Sequence, residues 1–304
     1  MNMSNMNLEN IAIQLEAHPD YKVLRRLVPR KQFFDISISN LKRGVIIDTE
    51  TTGIDTAKDE IIEIGMILFD YDPVTGQAYH VIDTCGELEQ PSKPIPPETT
   101  LVHGITDDMV QGKRIDDDKV AKFISGVTLV VAHNSSFDRA MLERRLPIFK
   151  TLSWGCSFKE IPWRNEGIGS QKLDYILSQF GFFHEAHRAE ADCLALLEVL
   201  QRPLPGSGRL GLSWILDAQR QPAYRVWATG SPFDNKDQLK ALGYRFDGAT
   251  KVWSLLTTHD RLEQDLVALK QAGYNGKAAR VQVETLDGFV RYSVRPGEKV
   301  QRVL

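Results

Sequence analysis

Two carboxylates one residue apart, Asp48 and Glu50, follow the apolar run Gly44-Val45-Ile46-Ile47. If that run is a strand, alternation puts both acids on one face, where they repel unless protonated or bridged by a cation. Hard divalent ions such as Mg2+ or Mn2+ take oxygen ligands of this kind. The competing reading is a pair of strand-end acids turned to solvent. A second cluster, His133-Asn134-Ser-Ser-Phe137-Asp138, follows another apolar run. Asp138 then falls in the first turn of a helix, where the dipole alone would favour an acid. The third, His187-Arg188-Ala189-Glu190-Ala191-Asp192, enters an alanine- and leucine-rich helical pattern. A histidine five residues before an acid forms no tight ligand pair with it, but can stand at the mouth of the same site.

The elements that must hold these clusters are legible from periodicity. An amphipathic stretch over residues 8–28 reads as helix, restarting at His18-Pro19-Asp20. Strands are expected at 44–50, 61–71 and 77–84, joined by hairpin-length gaps as an antiparallel meander. A proline-rich loop (Pro91, Pro94, Pro96, Pro97) follows. Helices are expected at 106–110 and 116–125, then a strand at 128–132, then helices at 136–145, 171–180 and 186–200. That order predicts an α/β fold, a mixed sheet covered by helices.

Taken together, the three clusters resemble the DnaQ-like (DEDD) 3′–5′ exonuclease superfamily, in its histidine branch. Asp-Thr-Glu-Thr-Thr-Gly53, His133-Asn-Ser-Ser-Phe-Asp138 and His187-Arg-Ala-Glu-Ala-Asp192 stand in that family's order, and Val102-His-Gly-Ile-Thr106 resembles a further family segment. The resemblance spans residues 44–200 and implies a ribonuclease H-like fold. It implies that Asp48, Glu50, Asp138 and Asp192 hold two divalent cations, Mg2+ or Mn2+, the arrangement used for in-line phosphoryl displacement. It implies His187 as general base, since neutral imidazole accepts a proton near pH 7; His184 lacks the spacing to Asp192. By the same resemblance Thr51, Thr52 and Gly53 approach the terminal nucleotide and Ile54 packs under its base. For Phe137 a core role is favoured over lining the pocket. His133 and Asn134 are as well explained by structural hydrogen bonding as by substrate contact. Arg139, Arg144 and Arg145 read as a solvated helix face.

The 304 residues carry a net charge of −3, which by itself argues against a nucleic-acid binder. Residues 204–304, however, hold 15 Lys and Arg against 10 Asp and Glu, leaving 22 against 30 in the first 203. The chain is an acidic unit of net −8 followed by a basic one of net +5. Four units are expected: a helical extension (1–43), an exonuclease domain (44–200), a Pro/Gly linker (201–211) and a small basic α+β domain (212–304). In the last, Arg225, Lys236, Lys240, Arg245 and Lys251 alternate with Tyr224, Trp227, Phe233, Tyr244 and Trp253, which suits either strand binding or a self-packed aromatic core. Hairpins are expected about Asp247-Gly248 and Asp287-Gly288.

The expected activity is release of nucleoside 5′-monophosphates from a 3′ end, DNA favoured over RNA, in proofreading, repair or end trimming. The alternatives are an exoribonuclease and a non-catalytic nucleic-acid-binding or assembly subunit. A second copy of the chain or a polymerase or repair protein is the expected partner. Three cysteines without a CxxC pair exclude a disulfide scaffold. With no long apolar run and no basic-then-apolar start, a soluble cytoplasmic protein without a membrane partner is expected.

Overall fold

The computed structural model describes residues 3–35 and 40–304. In chain order it runs α1 (Met3–Glu16), β1 (Arg25–Arg26), β2 (Lys42–Thr51), β3 (Ile61–Tyr71), β4 (Ala78–Leu88), α2 (Pro97–His103), α3 (Asp107–Val110), α4 (Asp117–Phe123), β5 (Val127–Ala132) and α5 (Ser135–Arg145). It continues with β6 (Trp154–Cys156), α6 (Ser157–Glu160), α7 (Leu173–Gln179), β7 (Phe182–Phe183), α8 (Ala189–Leu200) and α9 (Gly211–Arg220). The last part is β8 (Ala223–Trp227), α10 (Lys236–Ala241), β9 (Arg245–Asp247), β10 (Val252–Thr258), α11 (Leu262–Tyr274), β11 (Arg280–Leu286) and β12 (Glu298–Val303).

The larger sheet has the order β4-β3-β2-β5-β6. The expected meander is there: β2, β3 and β4 are antiparallel, while β5 and β6 run parallel to β2. Alternation along β2 sends Ile46 to one face and Val45 and Ile47 to the other. The Ile46 face packs under α7, α8 and α9 through Ile176, Cys193, Leu196 and Ile215. The Val45 face packs under α4 and α5 through Val120, Met141 and Leu142. This is the ribonuclease H-like arrangement, a mixed five-stranded sheet between helices.

One glycine sets the separation of sheet and helix. Gly65 lies opposite Asp48 on β3, and a Cβ there would stand 2.3 Å from the Ala189 carbonyl carbon. Only glycine lets the start of α8 approach β3 so closely. Cys193 Sγ then bonds Gly65 O at 3.3 Å, and all three cysteines are free and buried.

The N-terminal helix stops at Glu16, and the expected restart at residues 18–20 does not occur. Arg25 and Leu27 instead donate their N–H groups to Gly181 and Phe183 carbonyls at 2.9 and 2.7 Å, so the segment is extended. α1 itself is mostly exposed, with Leu8 65% accessible, and is tied down by Arg25 to Glu9 and Glu16.

Residues 201–211 are packed rather than extended. Leu204 is buried, its N–H donates to Arg209 O at 2.8 Å, and Ser207 N–H donates to the buried Glu166. α9 follows directly and lies against the larger sheet. The second sheet is antiparallel, β12-β11-β8-β10-β9, with α10 and α11 over Val226, Val281 and Val283. Asp247-Gly248 turns a hairpin as expected. The second hairpin is longer than expected, because β11 pairs with β12 and residues 287–297 leave the sheet between them.

That excursion is buried against the larger sheet. Arg139 of α5 is fully buried and donates to the carbonyls of Gly288, Phe289 and Arg291 at 3.0, 2.5 and 2.6 Å, and to Glu143 at 2.7 Å. Gly288 O also accepts the N–H of Trp154, on the edge strand β6. Arg291 pairs with Glu160 at 2.9 Å and donates to Ala218 and Gln221 carbonyls. Arg295 and Ser293 close on Glu143. No helix among the described residues is long and apolar enough to cross a membrane.

Candidate active site

The acids meet at the C-terminal end of β2. A ligand oxygen from each of Asp48, Glu50 and Asp192 lies within 4.8 Å of the others. Asp48 and Glu50 share the α8 face of the strand, as alternation requires, and α8 delivers Asp192 in its first turn. Asp138 arrives from the opposite face on α5 and is 4% exposed. Its Oδ1 accepts from Thr49 N–H at 3.1 Å and Thr49 Oγ at 2.9 Å, which fixes one carboxylate oxygen beside Asp48.

Burial first and mutual repulsion second raise these groups. Asp48 is pushed well above its ordinary value by burial, then by Asp138 and Asp192. Glu50 is raised to about 8 by burial, then by Asp192, with Arg188 opposing. Asp138 is raised to about 7 by burial, against its Thr49 hydrogen bonds. A compact set of hard carboxylate oxygens that resists its own ionisation fits a divalent cation.

A consequence for stability follows. Unfolded carboxyls lose their protons near pH 4, whereas Glu50 keeps its own to about 8 and Asp138 to about 7 in the fold. Between those limits the native state binds more protons, so its stability falls as pH rises. The melting temperature in EDTA is expected to drop from pH 5 to pH 8, and Mn2+ or Mg2+ should remove most of that drop. Thermal scans with and without metal check this; a metal-independent pH profile would count against a cation at these acids.

Two histidines flank Asp192 and differ in kind. His184 is buried, its Nε2 2.6 Å from Asp192 Oδ1 and its Nδ1 3.6 Å from Asp174. His187 is exposed, at φ 64°, and its backbone N–H donates to Asp192 Oδ2 at 2.8 Å. The other residues singled out in the sequence scatter. His133 spends both ring nitrogens, on Ser157 Oγ at 2.8 Å and Gln171 O at 2.7 Å. Asn134 is exposed at the start of α5, and Phe137 packs against the core on the α5 face. Thr52 N–H is taken by Glu60 O at 2.9 Å, and Thr51 Oγ by Gly53 O at 2.6 Å. Gly53 has Asp59 against it, and Ile54 stands 91% exposed at the rim.

Of the three arginines of α5, Arg144 is exposed as expected, while Arg139 and Arg145 are not on a solvated face. Arg139 is buried as described, Arg144 donates to Asp59 O, and Arg145 pairs with Glu89 and Asp117. Glu63 went unread in the sequence, whereas His103 lies in the Val102–Thr106 segment, whose role the sequence leaves open. Glu63 lies directly opposite Glu50 across β2 and β3, is 5% exposed, and is held by Arg188 at 2.9 Å; an acid inside the apolar run Ile61–Phe69 was its signal. His103 accepts from Ile105 N–H on Nδ1, and its buried Nε2 has no hydrogen-bond partner. Burial lowers its pKa, so the ring is neutral near pH 7.

The family model RNase_T, described as an exonuclease, matches residues 45–200, just over half of the chain. The DNA polymerase III subunit epsilon of Treponema pallidum is 33% identical over 163 residues, covering 50% of this chain and 72% of that protein. Exodeoxyribonuclease 10 of Escherichia coli is 30% identical over 155 residues, covering 49% and 62%. A DNA polymerase III PolC-type of Thermotoga maritima is 26% identical over 234 residues; these cover 72% of this chain and 16% of that far longer protein.

Proposed function

Because the chain belongs to the RNase_T exonuclease family, we propose that it is a divalent-metal-dependent 3′–5′ exonuclease that releases nucleoside 5′-monophosphates from DNA. The observation that carries the metal dependence is the convergence of Asp48, Glu50 and Asp192, with Asp138 alongside. These residues would hold two cations, which supply water activation and charge stabilisation on the leaving oxygen. The preference for DNA rests on the relatives, named as a DNA polymerase III subunit and an exodeoxyribonuclease. A polymerase partner is an extension of the first of those names.

His187 is proposed as the general base and His184 as the residue that orients Asp192. His187 is exposed on the loop entering α8 and its ring makes no hydrogen bond among the described residues, whereas the His184 ring is committed to Asp192. His187→Ala is expected to lower kcat by about 10²–10⁴ with metal affinity kept. His184→Ala should instead weaken metal binding. Steady-state kinetics across metal concentration separates the two; the reverse pattern would exchange the roles.

The reading as a whole is tested by titrating Mg2+ or Mn2+ against 3′- and 5′-labelled single-stranded DNA, duplex DNA and RNA. Metal-dependent ladders shortening from the 3′ end of DNA are expected. Equal or faster ladders on RNA would make the 2′-hydroxyl the tolerated or preferred group, and no ladder at all would remove the enzyme reading.

A further inference from the structure

A groove of about 590 Å3 lies between the catalytic unit and the second sheet, lined among others by Lys159, Trp214, Leu256, His259 and Tyr292. We propose that it carries the substrate strand upstream of its 3′ end. The proposal rests on the exonuclease reading and adds a second, non-catalytic contact surface to it.

Position is the first argument. The acids sit at the C-terminal end of β2, and Lys159 follows the C-terminal end of β6, two strands away along the same parallel edge. At about 4.8 Å between strands, that is a lateral step of roughly 10 Å. Lys159 Nζ also donates to Ser136 Oγ at 2.6 Å, two residues ahead of Asp138 on α5. A strand leaving the acids along this edge meets Lys159 first and the groove next.

Chemistry is the second. Lys159 is exposed and lies 5.3 Å from the centre of the Tyr292 ring, and Arg209 lies 4.1 Å over the Trp214 ring. Cations beside flat aromatic walls suit phosphates and bases without sequence preference. Leu256 adds an apolar surface, 64% exposed. The lining acids are largely spoken for: Glu160 by Cys156 N–H, Arg291 and Tyr292, and Asp217 by Arg209 and Arg220. Asp260 has no ion pair among the described residues and works against phosphate. The strand is therefore placed along the Lys159–Tyr292–Trp214 wall. The buried Arg139 and Arg291 contacts keep the two walls at a fixed separation.

Lys159→Glu, Leu256→Glu and His259→Ala change exposed side chains and are tested in the full-length protein. Binding of a labelled oligodeoxythymidine is read by fluorescence anisotropy in EDTA, without turnover. The two charge-introducing variants are expected to lose about tenfold in affinity and His259→Ala less, with Lys159→Glu also flattening the salt dependence. Lys277→Glu, an exposed lysine of the same basic unit outside the groove, is the control. Hydrolysis of the p-nitrophenyl ester of thymidine 5′-monophosphate with Mn2+ should be unchanged in all of them. Unaltered oligonucleotide affinity in the groove variants, or an equal loss in Lys277→Glu, overturns the proposal. An ester that the wild-type protein leaves intact would count against the exonuclease reading alone, because the binding arm needs no catalysis.

Discussion

Asp48→Asn is expected to abolish turnover while making the metal-free protein more stable. Asp48 is raised well above its ordinary value, by burial and then by Asp138, Asp192, Glu50 and Glu63. The amide occupies the same volume and removes a group that resists ionisation, so repulsion in the cluster falls. The same change removes a hard anionic ligand, and loss of one electrostatic group from a preorganised site costs on the order of 10³ in rate. Oligonucleotide degradation and thermal melting in EDTA, measured on one preparation, check both halves. Turnover within tenfold of the wild type would remove Asp48 from the metal site. A lowered melting point would mean that the cluster's repulsion is already relieved in the native protein.

Arg139→Ala is expected to cost about 3–5 kcal/mol of stability, the usual cost of breaking a buried charged pair. The guanidinium is fully buried and serves Glu143 and three backbone carbonyls of residues 288–291. Its removal strands those carbonyls and cuts α5 loose from the tail. Arg139→Lys should recover only part, because an ammonium cannot fork between several acceptors. Arg26→Ala, at an exposed pair with Glu185, should be nearly silent. Denaturant unfolding distinguishes them, and a loss below about 1 kcal/mol for Arg139→Ala would show that solvent replaces the tail. By the same logic, a chain ended before residue 204 is expected to fail as a folded nuclease, beyond any loss of nucleic-acid affinity.

The acids were readable because their signals are local. Asp48 and Glu50 share a face by strand alternation, and Asp192 opens a helix whose alanines mark close packing. Glu63 was hidden by its own context, since an apolar run gives no hint that its one acid faces another across a strand pair. Trp154–Cys156 is too short to show any alternation, so the fifth strand left no trace. The restart of α1 failed because Val23, Leu24, Leu27 and Val28 fit a helix by spacing, whereas the N–H groups of Arg25 and Leu27 are claimed by the distant carbonyls of Gly181 and Phe183. Arg139 was read as solvated for a related reason: its acceptors lie about 150 residues later. In the basic unit the aromatics divide. Trp227 and Tyr244 are buried, while Phe233 is 77% exposed with Lys236 4.4 Å over its ring.

The contact between Trp154 and Gly288 also orders events during synthesis. β6 is the edge strand of the catalytic sheet; Glu160 holds the N–H of Cys156, and the N–H of Trp154 is covered by a carbonyl from the tail. Arg139 must wait 149 residues for Gly288 to be made. At about 5–20 residues per second, that delay is roughly 7–30 s, in which a nascent chain exposes the outer edge of β6 and leaves an interior cation with Glu143 alone to pair it. Such edges template association between chains. The interval before the last turn emerges is therefore the one in which a chaperone, or slower growth at low temperature, will most change the yield of soluble protein.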